Sequence, residues 1–106
     1  MMATVSRILE EVRRGLEPLY GSRLEHLILY GSQARGEGQP GSDIDLLVVL
    51  DGPVRPAEEI ARCGELAAGL SLEHGVVISL AFVSAQRYGV ERSPLLLNIQ
   101  REGVAV

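Results

Sequence analysis

Lysine and tryptophan are absent from this 106-residue chain, which has one cysteine, one phenylalanine and three tyrosines. All ten basic residues are arginines, set against fourteen acidic ones, for a net charge of −4. That balance argues against a nucleic-acid backbone as the main partner, because neutralising phosphates needs a basic surface. So few aromatics also leave little to stack on bases. Arginine favours bidentate phosphate and carboxylate contacts, although the lack of lysine fits a genome-composition bias equally well. One cysteine excludes an intramolecular disulfide, and no apolar run is long enough to span a bilayer. The N-terminus, MMATVSRILEEVRRG, carries acidic residues and no signal-type apolar region, so the expected location is cytoplasmic. At this length the expectation is one domain over residues 1–106, burying roughly two-thirds of its unfolded surface around one core.

Residues 30–50, YGSQARGEGQPGSDIDLLVVL, hold most of the chemistry. Residues two apart in a strand project from one face, so Asp43 and Asp45 present their carboxylates side by side. Ile44, Leu46, Val48 and Leu50 make the opposite face wholly apolar, whereas Asp43, Asp45, Leu47 and Val49 turn from charged to buried partway along. Two anions at the end of a core strand repel each other and lose solvation, and a hard ion such as Mg²⁺ relieves both costs. A strand whose first residues are simply solvated gives the same pattern. Gly31 and Ser32 follow the apolar run Leu27-Ile28-Leu29-Tyr30, and residues 32–35 can begin a short helix with Ser32 as N-cap. A strand feeding a helix N-terminus builds an anion site: N–H groups and the dipole point at the ligand, and Gly31 lets it approach. Taken alone, Gly-Ser is also an ordinary strand-to-helix turn.

Together, Gly31-Ser32, Arg35-Gly36 and Ser42-Asp43-Ile44-Asp45 resemble the nucleotidyltransferase superfamily that includes DNA polymerase beta and the antibiotic-modifying nucleotidyltransferases. Its signature is a Gly-Ser at a helix start, followed about ten residues later by D-x-D or D-x-E on the next strand. The wording is most similar to the small prokaryotic branch, the minimal nucleotidyltransferases often paired with HEPN-domain proteins. The resemblance implies an α/β (α+β) fold, a small mixed sheet of about four strands flanked by helices. It implies that Asp43 and Asp45 are the catalytic metal ligands, holding Mg²⁺ (or Mn²⁺), and that Gly31 and Ser32 hold the β- and γ-phosphates of ATP or another nucleoside triphosphate. Arg35 pairs with a phosphate or with Glu37 across the loop, and Ser42 braces the aspartate loop through its hydroxyl.

The rest reads as scaffold. Val5, Ile8, Leu9, Val12, Leu16 and Leu19 recur at helical spacing over residues 4–19. Residues 23–30 form the first strand, and glycine-rich residues 36–42 form a loop able to adjust around a ligand. A second helix covers residues 56–73, with Ala57, Ile60, Cys63, Ala67 and Leu70 on its apolar face and Cys63 a small core residue. His74 before Gly75 fits a helix C-terminus, and His26 has no nearby partner. Residues 76–83 make another strand. Ser93 then caps a last helix with Pro94 in its first turn, an apolar side from Leu95-Leu96-Leu97 and Ile99, and Gly103 at its end. Residues 104–106 add a short edge strand.

One departure from the family stands out. Active members carry a third carboxylate on the strand beside the first two, and here that strand reads Ile78-Ser79-Leu80, with no Asp or Glu between Gly75 and Val90. Ser79 takes the third position and brings no charge. The resemblance therefore implies transfer of a nucleoside monophosphate, AMP from ATP, to a hydroxyl on a protein or small molecule, with pyrophosphate released. The alternatives are a weakly catalytic or non-catalytic antitoxin-type partner of a HEPN-domain protein, or a Mg-ATP-binding sensor. The third carboxylate serves mostly the second metal of a two-metal mechanism, so nucleotide binding should survive its loss better than catalysis, unless Asp51, Glu91 or a partner's carboxylate reaches the site. Every reading expects a protein partner or a homo-oligomer, and none expects a membrane.

Overall fold

The computed structural model describes residues 3–38 and 43–106. Chain order is α1 (Ala3–Tyr20), a single 3₁₀ turn, β1 (Leu24–Tyr30), β2 (Ile44–Leu50), α2 (Pro56–His74), β3 (Ile78–Ser84), α3 (Ala85–Val90), α4 (Pro94–Glu102) and β4 (Val104–Ala105). Four strands form one mixed sheet in the order β3-β2-β1-β4. β1 runs antiparallel to both β2 and β4, and β2 runs parallel to β3. The mixed α/β architecture expected from the motif is the one observed.

Helices cover both faces. Leu27, Leu29, Ile44, Leu46, Val48, Leu50, Ile78 and Phe82 pack with the apolar stripe of α1 and with α2. Ile28, Leu47, Val49 and Val83 pack on the other side with Leu96 and Ile99 of α4, where Tyr88 of α3 adds to the cover. Two-sided burial explains why β2 is nearly continuous in apolar residues. Its one charged residue, Asp45, lies near the start of the strand, with Asp43 just before it.

Three helical stripes differ in detail from the periodicity. α1 turns Tyr20 inward and leaves Leu19 exposed, because the stripe 5-8-9-12-16 continues as readily to position 20. On α2 the inward row is Glu59, Cys63, Leu66 and Leu70, while Ile60 and Ala57 face solvent. Glu59 is tolerated there because Tyr20 donates its hydroxyl to Oε1 at 2.8 Å and Arg62 donates at 2.7 Å. On α4 only Leu96 and Ile99 are buried, and Leu95 and Leu97 stay exposed. Caps follow expectation: the Ser93 hydroxyl accepts from the Leu96 N–H, Pro94 occupies the first turn, and Gly75 ends α2 at φ 65°. His74 also reaches Glu11 on α1, tying the end of α2 to that helix.

Candidate nucleotide and metal site

β1, β2 and β3 bring three polar side chains into one row. Asp45 lies opposite Tyr30 of β1 and opposite Ser79 of β3. Directly paired residues share a face of the sheet, so Tyr30, Asp45 and Ser79 line up across it. One step inward on that face come Ile28, Leu47 and Ala81, which belong to the packed interior. The row therefore marks the rim of the core. Asp43 is exposed just before β2 begins, where the Ile44 N–H donates to the Val77 carbonyl at 2.8 Å and extends the parallel ladder.

Charge at this rim is strained. Partial burial pushes the Asp45 carboxyl above the usual carboxylate range, and the Asp43 charge pushes it further. The Tyr30 phenol is raised as well, first by burial and then by the Asp45 charge beside it. Two adjacent carboxylates, one of them disfavoured by desolvation and by its neighbour, are a donor set that suits a hard divalent cation finishing its shell with water and phosphate oxygens. Ser79, in register with Asp45, adds a neutral hydroxyl only.

Gly31 fits against this carboxylate. It adopts φ +78°, and a Cβ placed on it would meet Asp45 Oδ2 at 2.6 Å. The backbone calls for glycine, and any side chain there would have to displace the Asp45 carboxylate. Beyond it the chain makes a run of turns instead of the expected helix. The N–H groups of Ala34 and Arg35 both donate to the Gly31 carbonyl at 3.1 and 3.2 Å, and Glu37 N–H donates to the Ser32 carbonyl at 2.9 Å. Gly36, at φ +75°, ends the right-handed run before a second turn forms. Ser32 is consequently a half-buried turn residue and caps no helix. The N–H groups of Ala34, Arg35, Gly36 and Glu37 are spent inside the turn, so the anion argument passes from a helix dipole to the start of that turn, at Gly31 and Ser32.

Arg35 is exposed on that turn, with Nε on Glu37 at 3.0 Å and Nη1 on Glu102 of α4 at 3.4 Å. Ser42 and most of the glycine-rich loop lie outside the described residues. Gln33 went unnoticed in the sequence: it is buried, and its amide lies where a Cβ on Gly38 would sit, so Gly38 packs directly against it. Tyr30 and Glu102 were also missed, since only register and tertiary packing bring them here. Asp51 stands at the far end of β2, about 20 Å along the strand from Asp45, so it does not complete the site. Glu91 is engaged by Arg87 at 2.6 Å. His26 is exposed against Tyr88, and Cys63 is a buried core residue as expected. Among the described residues, three ligand-type side chains converge within 4.8 Å only at Glu11, Glu73 and His74, in the seam between α1 and α2.

The family model described as "Nucleotidyltransferase domain" matches residues 6–100, nearly the whole chain. The chain belongs to the nucleotidyltransferase domain family. Three relatives from Methanocaldococcus jannaschii, each provisionally named a protein adenylyltransferase, share 31%, 26% and 32% identity with this domain. Their alignments cover 89%, 82% and 77% of this chain and 55%, 97% and 76% of theirs, so the domain spans about half the length of the first. Among solved structures, a chain of a toxin–antitoxin crystallised with AMP-PNP superposes with a TM-score of 0.62 at 20% identity, covering 91% of this chain and 70% of that one. A chain from a mutant of the toxin–antitoxin MntA-HpeT gives 0.58 at 24%, covering 95% and 69%. At such identities the structures establish the fold. No described helix of this nucleotidyltransferase domain is long and apolar enough to cross a membrane.

Proposed function

We propose that the domain binds ATP with Mg²⁺ (or Mn²⁺) at the Asp43–Asp45 rim and transfers AMP to a hydroxyl of a protein or small-molecule acceptor, releasing pyrophosphate. The observation that carries this reading is the fit of Gly31 against Asp45. The turn that would hold phosphates lies so near the carboxylate that would hold their cation that a Cβ on Gly31 would meet it at 2.6 Å. Asp43 and Asp45 supply the metal's protein ligands. Gly31 and Ser32 place backbone N–H groups toward the β- and γ-phosphates, Arg35 pairs with a phosphate oxygen, and Ser42 braces the loop that leads to Asp43. A bound cation would neutralise phosphate charge and lower the pKa of the acceptor hydroxyl. The relatives named as protein adenylyltransferases favour AMP as the group moved and a protein as acceptor.

A second reading rests on Ser79. Its register beside Asp45 leaves the third position uncharged, which weakens catalysis more than binding. In that reading the domain acts as the antitoxin-type partner of a HEPN-domain protein in the cytoplasm, or as a Mg-ATP sensor, with self-association as a further possibility. The deciding experiment is calorimetric titration of ATP with Mg²⁺ and with EDTA, using Asp45→Asn as control. Binding that needs both Mg²⁺ and Asp45 is expected; equal binding by Asp45→Asn would sink the metal site. Modification of a co-purified partner's mass then separates transfer from binding alone.

A further inference from the structure

Arg35 joins the phosphate turn to an element far away in sequence. Its partner Glu102 is 67 residues distant and is the last residue of α4, where the negative end of the helix disfavours a carboxylate. Arg101 is the basic residue of that helical turn, yet Glu102 reaches across to Arg35. A cleft of about 140 Å³ separates the two elements, walled by Tyr30, Gly31, Leu95 and Asn98, and Arg35 and Glu102 also line it.

A phosphate offers a guanidinium the same kind of paired oxygens that a carboxylate does. Glu102 and a phosphate thus compete for the same N–H donors. Both side chains are about two-fifths exposed, so the pair is screened and exchanges readily. Glu37 holds the Nε edge of Arg35 at 3.0 Å and Glu102 the Nη1 edge at 3.4 Å. We propose that Glu102 is an acidic gate on the phosphate turn: it holds the Nη1 edge of Arg35 while the site is free of anion and yields it to a phosphate of the bound nucleotide, Glu37 keeping the other edge. This rests on the reading of the turn as the triphosphate site. Glu102 is a positioning residue acting through Arg35. Anion binding leaves its carboxylate unpaired at the helix end, and that cost sets the affinity. It also links occupancy to the junction where Gly103 is wedged against Ile28 and β4 joins β1.

The test titrates inorganic tripolyphosphate with Mg²⁺, the condition in which the triphosphate site is expected to fill, and MgATP in parallel. The proteins are wild type, Glu102→Gln, Arg35→Gln, the double variant, and Glu65→Gln as a control for the change in net charge. Glu102→Gln is expected to tighten tripolyphosphate binding about two- to fivefold, the range of an exposed ion pair. Glu65→Gln is expected to change it little, and the gain should vanish in the Arg35→Gln background. The gate is overturned if Glu102→Gln gives no gain beyond Glu65→Gln, if the gain survives without Arg35, or if tripolyphosphate does not bind. MgATP binding that ignores Asp45→Asn while the tripolyphosphate gain holds would remove the metal reading and leave the gate standing.

Discussion

Gly31 and Asp45 are the residues on which the site turns, and each gives a distinct expectation. Gly31→Ala places a methyl group on Asp45 Oδ2 and forces alanine into left-handed backbone, a cost of roughly 1–2 kcal/mol before any clash is counted. Urea denaturation should show at least that loss, and Mg-dependent ATP binding should disappear with it. Asp45 itself opposes folding at neutral pH. Its carboxyl is raised in the folded state, so the fold favours the protonated form; that contribution is present in acid and lost as pH rises through the folded-state value. Asp45→Asn should therefore melt above wild type at neutral pH without divalent cation, with the gap closing toward acid. A lower melting temperature at neutral pH would contradict the burial argument. The Gly-Ser and D-x-D residues were legible because their chemistry is local and their spacing specific. Gln33 was not, because nothing in a lone glutamine announces that a glycine five residues on will cover it.

At the scale of elements, register decides more than propensity. Ser79 was readable as the third position, and the parallel pairing of β2 with β3 sets it opposite Asp45. Ser79→Asp is expected to raise any AMP transfer severalfold by charging that position. Transfer that stays flat while Mn²⁺ occupancy rises would refute the third-carboxylate argument. α2 teaches the opposite lesson. A pattern reading through Ile60 and Cys63 and one through Glu59 and Cys63 differ by a small rotation, and the structure takes the second. It does so because Tyr20 and Arg62 satisfy the buried carboxylate. Tyr20→Phe removes a hydrogen bond to a charged group and should lower stability by about 1–3 kcal/mol in urea, leaving MgATP affinity unchanged. The short helix expected after Gly31 failed because Gly36, at φ +75°, ends the right-handed run and Gly38 packs back on Gln33. α3, only six residues long and capped by Ser84, carries too little periodicity to announce itself.

Over the whole molecule, helices cover both faces of a four-stranded sheet, and Asp43 and Asp45 lie at one end of β2. With α1 and α2 on one side and α3 and α4 on the other sharing the same strands, the chain should unfold in one step. Far-ultraviolet circular dichroism and tyrosine fluorescence are expected to give coincident urea transitions, and separate midpoints would show two units. Local spacing was enough to set the order of the main elements, the apolar and charged faces of β2, the capped last helix and the motif that marks the family. All of these follow from spacing within a few residues, where backbone geometry is fixed. Tertiary structure alone decided that Tyr30 and Ser79 flank Asp45, that Glu59 turns inward, that Asp51 is out of reach and that Glu102 meets Arg35. Each of those depends on which strand pairs with which, how a helix rotates on the sheet, or where a distant helix ends. Such outcomes come from the balance of burial and charge over the assembled core, and no local window of residues contains that balance.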